Sequence, residues 1–140
     1  MKKSTFAMVI AAHFVTTAWG ASVPEVQIVS LPSSIRHGET VDIMVEFYYE
    51  DNDSGPWDVT SVELRTPDRF GDTKISETKT MKIDKTYTWY STTFYDVDLS
   101  PYDDPGDGEG VELYAYVQVD DNNGWTIINP SRRSPEYTVQ

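Results

Sequence analysis

From residue 40 the chain reads TVDIMVEFYYE. Val41, Ile43, Val45 and Phe47 share one parity, and Asp42, Met44, Glu46 and Tyr48 share the other. Successive strand side chains point to opposite faces, so this pattern predicts a strand with one buried face. Val62 and Leu64 repeat it briefly, and residues 75–83 repeat it weakly. Residues 86–99 are rich in aromatic and β-branched types, with Tyr87, Trp89, Thr93, Tyr95, Val97 and Leu99 alternating. Taking that set as core puts Tyr90 and Phe94 on the outer face, with Tyr48. Val111, Leu113, Ala115, Val117 and Val119 form the cleanest alternation. Beyond the first 20 residues no window of a dozen shows helical spacing of apolar positions. Turn signals separate the runs: Asn52-Asp53-Ser54-Gly55-Pro56, Asp104-Pro105-Gly106-Asp107-Gly108 and Asn122-Asn123-Gly124. The pattern predicts an all-β chain, a two-sheet sandwich of about seven antiparallel strands.

Several of these segments resemble a family. Pro24-Glu25-Val26-Gln27-Ile28 looks like an opening strand, and His37-Gly38-Glu39-Thr40-Val41 resembles a "G-x-T-V" start to the second. Residues 50–55 resemble the acidic loop that follows, and Val59-Thr60-Ser61-Val62-Glu63-Leu64 a "V-x-x-V-E-F" third strand. Residues 113–124 resemble a late strand running into a "D-N-x-G" turn. Together they resemble the bacterial-type immunoglobulin-like domains of secreted and surface proteins, relatives of fibronectin type III. The resemblance implies an immunoglobulin-like sandwich and leaves function open, because this architecture hosts many roles. Two departures are the long acidic insert at 100–110 and the prolines Pro130 and Pro135, which break the last strand. The segment Leu99-Ser100-Pro101 before Tyr102 is similar to a structural corner of fibronectin-like domains.

The first 20 residues have another character. Lys2 and Lys3 precede an apolar run from Phe6 to Val15, and Ala18-Trp19-Gly20 places small residues before Ala21. This is the layout of a secretory signal peptide over 1–20, cleaved before Ala21, with one exported domain over 21–140. His13, Thr16 and Thr17 interrupt the run too soon for a membrane span.

Composition narrows the chemistry. The 140 residues carry a net charge of −12. Without Lys2 and Lys3, nine basic residues face 23 acidic ones, a net −14. Such a chain repels nucleic acid and anionic membrane. The absence of cysteine excludes disulfides, thiol nucleophiles and cysteine zinc sites. After cleavage one histidine remains, His37, in a predicted turn, so neither a serine–histidine pair with an orienting third group nor a multi-histidine metal site is in prospect. Acids are plentiful, but no spacing singles out a hydrolytic pair. The expectation is a protein without catalytic residues.

Two features suggest binding. Asp51, Asn52 and Asp53 leave the second strand at the end where Asp120, Asp121, Asn122 and Asn123 are expected. Calcium takes six to eight oxygens of this kind, so Asp51, Asp53, Asp120, Asp121 and Asn122 are candidate ligands, with solvated turns as the plainer account. A second acidic group, Asp103, Asp104, Asp107 and Glu109, is expected at the opposite end and lacks the spacing of a calcium loop. Trp57 and Trp125 flank the first cluster and form a candidate sugar-binding edge, aromatic faces covering a pyranose while acids and amides take its hydroxyls. Tyr48, Tyr90 and Phe94 form a second candidate, an aromatic platform on one sheet, and Tyr114 and Tyr116 a third on the other. Cross-strand pairs that merely stiffen the sheets are the competing account. Asn52-Asp53-Ser54 is a glycosylation acceptor in a eukaryotic source only. The resulting expectation is a secreted, monomeric binding or adhesion module that requires no cofactor, with a calcium ion as an optional aid. Its partner is a surface polysaccharide reached through Trp57 and Trp125, or an extracellular protein held by loops, such as Gly55-Pro56-Trp57, or by a strand edge.

Overall fold

The computed structural model describes residues 20–51, 58–67, 72–103, 108–122, 127–128 and 130–140. Its strands are β1 (Ala21–Ser30), β2 (Thr40–Asp51), β3 (Asp58–Thr66), β4 (Thr73–Lys74), β5 (Lys79–Ile83), β6 (Thr88–Asp98), β7 (Val111–Asn122), β8 (Ile127–Ile128), β9 (Ser131–Arg133) and β10 (Tyr137–Val139). Among the described residues a single 3₁₀ turn, Ser100–Tyr102, follows the buried Leu99. Among the described residues no helix is long and apolar enough to cross a membrane.

Two antiparallel sheets result. The first has the order β1-β2-β6. In the second, β3 and β7 pair at the centre, β4 and β5 run along the far side of β3, and β8, β9 and β10 run along the far side of β7. Pro130 and Pro135 lie between the last three pieces, where a residue without an N–H cannot continue the ladder. The alternation in β2 and β7 translates directly into burial: Ile43, Val45 and Phe47 meet Val62 and Leu64 of β3 and all five alternating residues of β7 in one core.

β6 departs from its expected parity. Phe94 is 1% exposed and belongs to the core, whereas Trp89 is 44%, Tyr87 56% and Tyr95 67% exposed. Tyr90 also faces inward, its ring stacked on Phe47 at 5.8 Å and edge-on to Tyr49 at 6.5 Å. The cause is a β-bulge. Val41 pairs with Val97 and Ile43 with Phe94, so two steps on β2 match three on β6. The extra residue lies at Tyr95-Asp96, where Asp96 has φ 53° and its N–H donates to Asp42 Oδ1 at 3.0 Å. One inserted residue exchanges the two faces, so a period-two reading carried back from Val97 and Leu99 assigns the rest of the strand to the wrong side.

Candidate binding surface

Residues of the first sheet that alternate away from the core form its outer face. Register pairs Glu25 with Tyr48 and Tyr48 with Trp89, one row across all three strands. The Tyr48 and Trp89 rings meet edge to face at 5.4 Å. In the next row Gln27 donates to Glu46 Oε2 at 3.1 Å, with Ser91 opposite Glu46. Beyond it Met44 lies opposite Thr93. Charge on this sheet has one sign. β1 contributes Glu25, β2 contributes Asp42, Glu46, Glu50 and Asp51, and β6 contributes Asp96 and Asp98, with no Lys, Arg or His in the three strands. Aromatic rings among carboxylates and hydroxyls make a surface that suits apolar contact and cationic groups together.

Of the expected platform, only Tyr48 keeps its outward place. Phe94 fills the core, and Tyr90 is a pin: its hydroxyl accepts the Lys85 N–H at 2.9 Å and lies 3.1 Å from Asp84 Oδ1. Burial first, and the Asp84 carboxylate next, hold that hydroxyl's pKa above the usual tyrosine value. Trp89, Tyr87 and Tyr95 take the exposed positions instead. A sequence signal for this existed in Asp96, a residue tolerant of positive φ beside a β-branched run, but alternation alone does not reveal a bulge.

The second sheet's outer face is self-satisfied. Arg65 stacks over Tyr116 at 4.3 Å and pairs with Glu63 at 2.8 Å; Arg133 stacks over Tyr114 at 4.2 Å and pairs with Glu136 at 2.7 Å. Tyr114 is buried beneath this layer and donates its hydroxyl to Asp72, so it is not the surface aromatic expected from its parity. Burial, then the Asp72 carboxylate, raise its pKa.

At the β2–β3 end, Val59 pairs with Asp120, which places the end of β7 beside the start of β3, at the same end as Asp51. Tyr49 donates to Asp51 Oδ2 at 3.0 Å, and Asp120 is exposed. Asn52, Asp53, Gly55, Pro56, Trp57, Asn123 and Trp125, together with the side chains of Asp121 and Asn122, lie outside the described residues. Among the described residues no group of three His, Asp or Glu side chains is placed to hold a metal ion. At the opposite end Asp103 and Glu109 are exposed, while Asp104 and Asp107 lie outside the described residues. His37 is exposed in a turn closed by the Glu39 N–H on the Arg36 carbonyl at 3.0 Å.

No protein-family model and no curated protein matches the chain. Among solved structures, Spo0M, a sporulation control protein from Bacillus subtilis, aligns with 88% of this chain at 12% identity and a TM-score of 0.40. The alignment covers 50% of that protein, so the chain spans half its length.

Proposed function

We propose that the chain is an exported, non-catalytic binding module of the immunoglobulin-like, fibronectin type III-related class, and that it holds an extracellular protein on the outer face of β1, β2 and β6. The observation that carries this reading is the exposure of Trp89 against Tyr48, with Tyr87 and Tyr95 exposed towards either end of the same edge, on a sheet whose charged residues are all acidic. Large aromatics gathered on one solvent face mark interaction surfaces more often than they mark chance exposure. The leader over 1–20 supports export, and two antiparallel sheets packed around one core are in keeping with the class. A non-catalytic role is supported by the exposed turn position of His37 and by the absence of cysteine.

A second reading rests on Trp57 and Trp125, which the sequence places beside the same acidic end: polysaccharide contact through end loops, with calcium as an aid. One comparison separates the two. The full chain is exposed to extracellular proteins of its source, and to insoluble chitin, cellulose, β-glucan and peptidoglycan with calcium present. The first reading expects retention of a protein that Tyr48→Ser with Trp89→Ser abolishes. Depletion by a polymer, reversed by Trp57→Ala with Trp125→Ala, would replace it with the second.

A further inference from the structure

A sheet edge offers unpaired N–H and C=O groups to any passing strand, and proteins blunt such edges with prolines, bulges, lysines or brevity. Three of the four edges of this sandwich carry those devices. β1 contains Pro24 and has register shifts between Ser22 and Glu25 and between Ile28 and Ser30. β5 is five residues long with Lys79 and Lys82, and β4 is two residues long. On the remaining side of the second sheet, β8, β9 and β10 are short pieces separated by prolines.

β6 is different. From Thr88 opposite Tyr49 to Phe94 opposite Ile43 its register is unbroken, and the run TWYSTTF holds no charge, proline or glycine. Among the described residues β2 is its single partner in the sheet, and no strand pairs with its other edge; Lys79 of β5 comes near it at one end, its Nζ 6.0 Å from the Phe94 ring centroid. Positive φ brackets the run: Tyr87 and Asp96, each at φ 53°, are the only non-glycine residues of positive φ among those described. For tyrosine that backbone conformation is an outlier, and such positions gather at clamps and ligand sites.

We infer that the β6 edge accepts an extended, lysine- or arginine-bearing segment of another protein as a fourth strand of the first sheet. The inference rests on the binding reading above and gives the partner its chemistry. Main-chain pairing along Thr88–Phe94 supplies register, and alternate side chains of the incoming strand fall beside Trp89, Ser91 and Thr93. Charge selects the sign of the partner. The three strands bear acids and no base, so a cationic strand gains attraction, whereas a second copy brings Asp96, Asp98 and the rest of the same acidic face against its like.

The test uses the full chain and two synthetic probes. One is a capped peptide of about eight residues alternating Lys with Thr and Val, the length a β6-sized edge can pair; the other replaces every Lys by Glu. Calorimetry and amide hydrogen exchange are read together. The expected result is binding of the Lys peptide about tenfold or more tighter than the Glu peptide, weakening as salt rises across roughly 50 to 300 mM. Exchange should slow within Thr88–Phe94, and Ser91→Lys should abolish both effects without changing thermal unfolding. Equal binding of both peptides, no saturation near about 1 mM, or protection confined to other strands would overturn the inference. So would protection of β6 that grows with protein concentration in the absence of peptide, which would make a second copy the occupant. If the peptides fail while Tyr48→Ser with Trp89→Ser still abolishes protein capture, the strand-addition inference falls and the aromatic-face reading stands. If that capture is also absent, both fall.

Discussion

Phe94 and Trp89 are neighbours in sequence terms but opposites in environment, one closed in the core and the other nearly half open to solvent. Truncating a buried phenylalanine removes its transfer energy and leaves a cavity, about 3–5 kcal/mol. Truncating Trp89 forfeits mainly its edge contact with Tyr48, about 1 kcal/mol. Urea unfolding of Phe94→Ala and Trp89→Ala is expected to show that inequality, and equal losses would contradict the burial described. Glu63 makes a pH-dependent contribution. Burial by itself would raise its pKa, but hydrogen bonds from Arg65 and Thr78, with the charges of Arg65 and Lys74, outweigh it and hold the carboxyl below its usual value. A carboxylate lowered on folding stabilises fully above the unfolded pKa of about 4.3 and loses that contribution as pH falls through the folded value. Glu63→Gln should therefore cost about 1 kcal/mol at neutral pH, and its melting curve should converge on that of the parent chain under acid.

At the scale of the element, the two longest alternating patterns behave differently. β7 crosses the centre of its sheet, paired on both sides, and every residue of its alternation is buried as the pattern says. β6 is an edge strand with a bulge, and there the pattern failed at Tyr90 and Phe94. Central strands tolerate no inserted residue without losing pairing on two sides; an edge strand loses it on one. The same edge position makes the uncharged run Thr88–Phe94 an aggregation hazard when no partner covers it. A single lysine on the solvent side should remove that hazard. Ser91→Lys is expected to delay aggregation on heating, read by light scattering, while changing the unfolding free energy by no more than about 0.5 kcal/mol. Unchanged aggregation would show that another segment nucleates it.

Over the whole molecule, charge is divided between layers. Arg65, Lys74, Lys79, Lys82, Arg132 and Arg133 all lie on strands of the second sheet, and the strands of the first hold none. On the second sheet Arg65 and Arg133 are consumed by neighbouring rings and carboxylates, which leaves a closed, internally compensated face. The first sheet carries acids and no base in its strands. Its acids project with the exposed aromatics, and this asymmetry is what turns an open edge into one with a preferred partner. Composition alone reports the net −12 and not its division between layers.

The all-β class and the core of β2, β3 and β7 were legible in the chain because burial on one face imposes period two, and nothing else in these segments competes with it. The broken final strand was legible for an equally local reason, since proline cannot donate to a ladder. The aromatic surface was not. Which of Trp89, Tyr90 and Phe94 faces water depends on one extra residue opposite Asp42, and a bulge is defined by the partner strand rather than by its own sequence. Tyr114 escaped for a similar reason: its outward parity was read correctly, but Arg133 comes from a strand aligned beside it only in the folded sheet and covers the ring. Local pattern decides which residues can form strands, and only pairing between distant segments decides which side chains those strands leave in solvent.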